Sequence, residues 1–196
     1  MKRRKKRKGA SKIIAFLVLI IIIALFILVL PGTLKKVSYP VVYREFIEEF
    51  SDLYSLDASL VAAIVYTESS YDVNATSNVG ARGLMQVMPS TGEWIHGKLK
   101  KQYPFNPDVL YTVDGALTYG CWYLDFLCDR FDGDITSVIA AYHAGQGEVE
   151  KWLKDPVYSS DGKTLSALPE GARATRHYVE KVKKVYDYYK EVYQSG

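Results

Sequence analysis

The sequence predicts an all-α domain that follows one N-terminal transmembrane helix. Three observations support this prediction: an uninterrupted apolar run from Ile13 to Leu30, apolar stripes at helical spacing further along, and the lack of the alternating pattern typical of strands. The chain has 196 residues, and enough remain after the apolar run to form one domain of ordinary size.

The N-terminal segment has the composition of a membrane anchor. Ile13–Leu30 holds 18 apolar residues, close to the length that crosses a ~30 Å hydrocarbon core as a helix. Residues 2–12 carry eight basic groups and no acid, which favours a cytoplasmic N-terminus and an extracytoplasmic domain. A cleaved signal peptide has a similar layout, but residues 31–36 offer no A-x-A-like site and the run is long for such a peptide. We therefore expect an uncleaved, single-pass anchor.

The basic character of the chain is confined to its N-terminal tail. The net charge is +3, and without the eight basic groups of that tail the remainder carries about −5. A mildly acidic domain argues against nucleic acid as a partner. The sequence is therefore divided into a basic cytoplasmic tail (1–12), a transmembrane anchor (13–30), a Pro- and Gly-containing linker (31–42) and a helical domain (43–196).

Apolar residues at helical spacing predict the helices of the domain. The first stripe consists of Phe46, Ile47, Phe50, Leu53 and Tyr54, and the second of Leu60, Val61, Ile64 and Val65 with Asp57 as N-cap. Further helices are predicted from Leu117, Cys121, Leu124, Cys128 and Phe131, from about Ile135 to Tyr142, and from Tyr178 to Tyr193. Residues 153–173 are predicted to form a long loop.

The two cysteines are predicted to be core residues without a disulfide bond. Cys121 and Cys128 are seven residues apart on one predicted helix, which separates their Cα atoms by about 10 Å, beyond bridging distance. The three histidines show no metal-ligand spacing. We therefore expect no metal site.

Glu68 continues an apolar row of the second predicted helix, because Leu60, Ile64 and Glu68 follow one another at four-residue spacing. Burial raises the pKa of a carboxyl group, and the negative end of a helix dipole acts in the same direction. A carboxyl group that stays protonated near neutral pH can act as a general acid. Spacing alone leaves open that Glu68 is a solvated residue at a frayed helix end.

Three sequence segments, the first of which begins at Glu68, form a recognisable pattern. Glu68–Tyr71 is followed by Ser77 and by Gly80–Thr91, which reads GARGLMQVMPST; Ala140–Gly147 reads AAYHAGQG, and Thr175–Val179 reads TRHYV. In this order they resemble the signatures of the Slt-type lytic transglycosylases, over roughly residues 43–193. The resemblance implies a lysozyme-like helical fold and an enzyme that cleaves the glycan strands of bacterial peptidoglycan.

The resemblance also implies the roles of particular residues. It makes Glu68 the single catalytic acid/base of a reaction that leaves 1,6-anhydromuramic ends, without a metal or an organic cofactor. It implies that a sugar groove is lined by Ser77, Gln86, Met88, Ala141, Tyr142 and His143, and that Tyr178 comes close to Glu68. Asp72 and Glu93 are interpreted as solvated surface acids.

Two positions depart from the family pattern, and they leave alternatives open. His143 stands where the family usually has asparagine, and Ala174 stands where it usually has glutamate. A goose-type lysozyme, which uses water as the acceptor, is the nearest alternative among enzymes. A weakly active wall-binding subunit of an envelope assembly is the alternative from another class. An unnamed protein partner in the cell envelope also fits this sequence.

Overall fold

The computed structural model describes residues 16–27 and 39–194, and the chain forms two compact units, residues 1–40 and 41–196. Helix α1, residues 16–27, belongs to the first unit and is exposed along its whole length. Across both described stretches, no helix is long and apolar enough to cross a membrane. The predicted basic tail lies outside the described residues, as do both ends of the predicted anchor and most of the predicted linker.

The second unit is helical, as the sequence predicts. Its α-helices are α2 (Arg44–Leu53), α3 (Ala58–Ser69), α4 (Pro89–Lys98), α5 (Val113–Arg130), α6 (Ile135–Ala144), α7 (Gln146–Leu153) and α8 (Arg173–Gln194). Two 3₁₀ helices cover Pro107–Tyr111 and Glu170–Ala172. Within residues 39–194, β-structure is limited to two isolated bridges, Thr76 with Arg82 and Arg82 with Val87.

Helix α3 forms the centre of the domain. Asp57 caps its N-terminus, since the Asp57 carboxylate accepts a hydrogen bond of 2.8 Å from the Ser59 amide. Every residue from Ser59 to Val65 is buried, so this helix is covered on all sides and not on one face only. Its most extensive helix partner in the described domain is α8. Burial of each large apolar side chain in this helix stabilises the fold by roughly 1.5–3 kcal/mol.

Helix α2 buries less of its apolar stripe than the sequence predicts. Ile47 and Phe50 are buried, whereas Phe46 is 39% exposed and Leu53 is 67% exposed. Helix α2 packs against α3 and α5 on one side, which covers the line through Ile47 and Phe50 and leaves the flanks of the stripe in solvent. The prediction that Phe46 and Leu53 belong to a buried face is therefore wrong.

The long loop after α7 is bound to the domain by Asp134 before α6 and by Arg176 of α8, which donates to the Leu168 and Pro169 carbonyls. Asp134 accepts hydrogen bonds from the Ser137 amide at 3.0 Å and from the Leu165 amide at 3.3 Å. It therefore caps α6 and joins the loop to the N-terminus of that helix. The predicted loop begins one residue early, because Leu153 still belongs to α7. The prediction of unpaired cysteines is confirmed: both are free, Cys121 is buried and Cys128 is half-buried.

Replacing a buried residue of α3 is expected to destabilise the domain far more than replacing an exposed one of α2. Ile64→Ala removes a side chain with 0% exposure and is expected to lower the free energy of unfolding by about 2–5 kcal/mol. Leu53→Ala, the control, is expected to change it by less than about 0.5 kcal/mol. Urea unfolding of the purified chain measures both values, and equal effects would show that α3 is not the centre of the core.

Candidate active site

The fold places Glu68 at the last turn of α3, where the buried helix reaches the surface. The helix ends at Ser69, and Ser70 adopts a left-handed conformation as its C-cap. The Ser69 hydroxyl donates to the Val65 carbonyl at 3.2 Å and to the Leu84 carbonyl at 2.9 Å. This second bond ties the end of α3 to the segment that follows it. The backbone that carries Glu68 is therefore held from two sides.

That segment, residues 70–88, is called the glycine loop below, and its path depends on Gly83. Gly83 has a φ of +71°, and a Cβ atom placed on it would lie 1.8 Å from the Leu110 carbonyl oxygen. Gln86 has a φ of 48°, and its side-chain amide donates to the Ala75 carbonyl at 3.1 Å and the Gly83 carbonyl at 3.0 Å. The Gln86 side chain thus closes the loop on itself.

Tyr178 of α8 reaches across to Glu68, as the resemblance implies. Its hydroxyl donates a hydrogen bond of 2.6 Å to Glu68 Oε1. Burial raises the pKa of Glu68 from its ordinary value near 4.5 to about 7, against the opposing effects of this hydrogen bond and of the Lys181 charge. Both the protonated and the ionised carboxyl are therefore accessible near neutral pH.

His143 stands beside this pair. Its ring centroid lies 4.6 Å from that of Tyr178, and its Nδ1 lies 3.1 Å from the Thr175 hydroxyl. Burial lowers the pKa of His143, which favours the neutral imidazole. Burial also raises the pKa of Tyr178 well above its ordinary value, so Tyr178 keeps its proton and remains a donor.

A cleft of about 230 Å³ opens next to these residues. It is lined by Gln86, Val87, Met88, Thr91, Tyr123, Tyr142, His143, Ala144 and Gly145. The Tyr142 hydroxyl donates to the Met85 carbonyl at 2.9 Å, which fixes this ring between α6 and the glycine loop. The cleft therefore combines aromatic surface with polar groups, the combination that suits a ligand with both apolar and hydroxyl-bearing faces.

The structure brings together most of the predicted groove residues. Gln86, Met88, Tyr142 and His143 all line the cleft. Ser77 is not among its lining residues, and its hydroxyl instead accepts a hydrogen bond of 3.0 Å from the Ala81 amide within the glycine loop.

Ala141 is fully buried and contributes no exposed surface.

Five cleft residues were not predicted as groove residues from the sequence: Val87, Thr91, Tyr123, Ala144 and Gly145. Tyr123 lies off the apolar stripe of α5, together with Trp122 and Phe126. Aromatic side chains outside the buried stripe of a helix are a signal that could have indicated a binding surface.

Other acidic side chains near Glu68 in sequence point to solvent. Asp72 and Glu93 are both exposed, and neither lines the cleft. In the described part of the chain, no group of three or more His, Cys, Asp or Glu side chains is arranged to hold a metal ion. Glu68, by contrast, has a pKa raised to about 7 and is linked to the cleft through Tyr178, whose ring lies against the cleft-lining His143.

Residues 45–164, more than half of the chain, match the family model described as the transglycosylase SLT domain. The chain belongs to this family. The matched range contains Glu68 and the whole lining of the cleft, whereas Tyr178 lies beyond it.

Individual relatives and solved structures agree with this membership. The chain is 32% identical over 129 residues to the membrane-bound lytic murein transglycosylase D of Escherichia coli, covering 66% of this chain and 27% of the relative. It is 29% identical to the membrane-bound lytic murein transglycosylase C of Serratia proteamaculans, covering 83% and 50%. The 70 kDa soluble lytic transglycosylase of Escherichia coli matches in structure with a TM-score of 0.70 and 26% identity, over 80% of this chain and 25% of that one. The chain therefore spans only a quarter to a half of the length of these relatives.

The stability of the protein is expected to depend on the ionisation of Glu68. Its pKa is raised to about 7 in the folded state, so between about pH 4.5 and about pH 7 the unfolded state binds fewer protons, and stability falls as pH rises. The side chain in Glu68→Gln does not ionise, so the stability of this variant does not fall in this way. The variant is expected to gain stability relative to the unsubstituted chain across that range. Thermal unfolding at about pH 4 and about pH 8 measures the difference, and a gap that stays constant with pH would contradict the raised pKa.

Proposed function

We propose that the chain is a peptidoglycan lytic transglycosylase that uses Glu68 as its single acid/base. The reaction cleaves the β-1,4 bond between N-acetylmuramic acid and N-acetylglucosamine and leaves a 1,6-anhydromuramic end. The observation that carries the proposal is the half-buried Glu68 carboxyl, with a pKa near 7 and a 2.6 Å hydrogen bond from Tyr178, whose ring lies against the cleft-lining His143.

The geometry supports a reaction in two steps. The protonated Glu68 first donates its proton to the glycosidic oxygen, while the acetamido group of the substrate attacks the anomeric carbon and the leaving N-acetylglucosamine departs. The ionised Glu68 then takes the proton from the muramoyl C6 hydroxyl, whose oxygen attacks the anomeric carbon, releases the acetamido group and closes the anhydro ring. At the end of the second step Glu68 is protonated again, so the enzyme is regenerated.

Tyr178 fits both steps because its hydroxyl donates to Glu68 Oε1. This bond stabilises the ionised form and orients the carboxyl, which leaves Oε2 as the position from which the proton is transferred. A conventional glycosidase needs a second carboxylate. Asp72 and Glu93, the next two acids along the chain after Glu68, are exposed, which favours intramolecular transfer over hydrolysis.

The relatives support the proposal through their names. Those most similar in sequence are called lytic murein transglycosylases, and murein is peptidoglycan. One structural match, over 81% of this chain with a TM-score of 0.68, is an inactive variant of the Slt lytic transglycosylase of Pseudomonas aeruginosa in which a glutamate is replaced by glutamine. Another match is a complex of the soluble lytic transglycosylase with bulgecin A.

The remaining predicted site residues take supporting roles in this proposal. Gln86, Met88, Tyr142 and His143 line the cleft, and we assign them to contacts with the sugars. Ser77 closes the turn of the glycine loop through its bond with Ala81.

Glu68→Gln is expected to lower the activity on purified peptidoglycan at least about 100-fold, because an amide cannot transfer the proton in either step. Zymography measures clearing, and mass spectrometry of the released muropeptides identifies anhydro ends, which are lighter by one water than hydrolysed ends. Glu93→Gln, the same change at an exposed glutamate of α4, is the matched control and is expected to keep full activity.

Two results would overturn the proposal. Equal clearing by the unsubstituted chain and by Glu68→Gln would remove Glu68 from the catalytic role. Products with only reducing ends would replace intramolecular transfer by hydrolysis.

Tyr178→Phe is expected to shift the alkaline limb of the kcat/KM profile to higher pH. The Tyr178 hydrogen bond lowers the pKa of Glu68, so its removal raises that pKa, and the protonated acid persists to higher pH. Tyr142→Phe is the control, because the Tyr142 hydroxyl donates to Met85 and not to Glu68. A limb that stays in place in Tyr178→Phe, or moves equally in both variants, would show that the bond does not tune the acid.

We also propose that residues 13–30 anchor the enzyme in the cell membrane, with residues 1–12 in the cytoplasm, residues 31–42 as a linker and residues 43–196 as the catalytic domain outside. The 18-residue apolar run and the eight basic groups before it support this arrangement. The described part of the run, residues 16–27, is helical, and its apolar side chains are exposed, which suits contact with lipid.

The anchor proposal predicts that the chain stays with the membrane pellet after alkaline carbonate extraction, with the mass of the uncleaved sequence. Replacing Ile21 and Ile22 by lysine is expected to release it, because each charge at the centre of a span costs about 2.5–3.5 kcal/mol. A chain shortened at its N-terminus in the cell would instead indicate a cleaved signal peptide.

A further inference from the structure

The last turn of α3 is in contact with a basic residue of α8 that takes no part in the two proton transfers. Lys181 donates from Nζ to the Thr67 carbonyl at 3.3 Å, and Thr67 is the residue directly before Glu68. The same ammonium lies 5.9 Å from the centre of the Tyr66 ring. Contacts with two adjacent residues of α3 therefore hold the Lys181 charge at the end of this helix.

A positive charge at this position compensates the end of α3. The C-terminal end of a helix carries a partial negative charge, which a nearby lysine stabilises. The sequence of α3, ASLVAAIVYTES, contains no lysine, arginine or histidine, so Lys181 supplies the charge from the neighbouring helix. Because Lys181 follows Tyr178 by three positions, both side chains leave α8 on the same side and reach the end of α3.

The other ionisable groups of α6 and α8 that act on Glu68 in the described domain are uncharged near neutral pH. Burial raises the pKa of Tyr142 and of Tyr178 well above the ordinary value, and the Glu68 carboxylate acts in the same direction. Burial lowers the pKa of His143, whose ring lies against Tyr178. Lys181 thus brings the full charge to this group of residues, and its charge favours the ionised Glu68.

The charged groups of the glycine loop do not take this role. The Arg82 guanidinium donates to the Asp108 carboxylate at 2.9 Å. Asp72 is exposed and accepts a hydrogen bond of 2.9 Å from a backbone amide of the same loop. The Lys181 side chain is itself exposed, so its effect on the carboxyl depends on the salt concentration of the solution.

We infer that Lys181 is a positioning residue of the reaction: its ammonium holds the last turn of α3 and stabilises the Glu68 carboxylate that exists between the two proton transfers. The bond to the Thr67 carbonyl fixes the backbone directly before Glu68, and the charge lowers the free energy of the ionised side chain. Tyr178 contacts the carboxyl itself, whereas Lys181 acts through α3 and through space. The inference rests on the proposed function for the step that Lys181 assists, whereas the charge effect is measured on the protein without substrate.

The test measures the titration of Glu68 separately from catalysis. Carbon-13 NMR gives the midpoint of the Glu68 carboxyl in the full-length chain and in Lys181→Met, Lys181→Arg and Lys184→Met. Lys181→Met, which removes the charge and keeps a long apolar side chain, is expected to raise the midpoint by about 0.2–0.7 pH units at low salt. Lys181→Arg keeps the charge and is expected to keep the midpoint. Lys184→Met removes an exposed charge about one turn further along α8 and, as the matched control, is expected to leave the midpoint unchanged.

Salt distinguishes an effect of charge from a loss of packing. In about 1 M sodium chloride the screening length falls to about 3 Å, so the difference between the unsubstituted chain and Lys181→Met is expected to shrink by about half or more. The alkaline limb of the kcat/KM profile on peptidoglycan is expected to move to higher pH together with the NMR midpoint in Lys181→Met and to stay in place in Lys181→Arg.

A midpoint that stays the same in Lys181→Met, moves equally in Lys184→Met, or moves by the same amount at both salt concentrations would overturn the inference. Circular dichroism verifies that each variant is folded, and Lys181→Gln replaces Lys181→Met if that variant does not fold. A chain whose Glu68 midpoint depends on Lys181 but which releases no anhydro-muropeptides would contradict the proposed reaction and leave the effect of the Lys181 charge standing.

Discussion

The site depends on one hydrogen bond between the two helices that form the centre of the domain. Tyr178 of α8 donates to Glu68 at the end of α3, and α3 and α8 pack along each other. Burial makes ionisation of Glu68 costly, whereas the Tyr178 hydroxyl and the Lys181 charge favour it. The opposing effects bring the pKa near 7, where one carboxyl group can serve as the acid and then as the base. The same packing that stabilises the fold thus prepares the chemistry.

Helical periodicity indicated a partly buried Glu68, although it left open that this residue is solvated at a frayed helix end. Leu60 and Ile64 precede it on one line of α3 and are both buried, so the row predicts a carboxyl that is partly removed from solvent. Spacing could not predict Tyr178, because a hydrogen bond between residues 110 positions apart depends on how α3 and α8 pack. The resemblance to a family supplied that pairing. The cysteine spacing could be interpreted from the sequence because it depends on a single helix, and the two cysteines are free as expected.

Other features could not be predicted for physical reasons that differ from one to the next. Helix α4 was not predicted, because it contains Gly92 and Gly97 and has no continuous apolar stripe. It is held instead by contacts with α5 and with Phe105, which lies against Gly92. The exposure of Leu53 depends on which side of α2 the rest of the domain covers. The contacts of Trp94 with Trp122 and Phe126 form where α4 meets α5, so no single helix reveals them.

The fold holds the Glu68 carboxyl at a pKa near neutrality, and the proposed chemistry depends on this pKa. A carbon-13 NMR titration of the full-length chain, with Glu68→Gln used to assign the side-chain carboxyl resonance, measures this pKa directly. A midpoint of about 7 is expected for the unsubstituted chain. A midpoint near the ordinary value of 4.5 would contradict it, because Glu68 would then be ionised at neutral pH and could not begin the reaction as an acid.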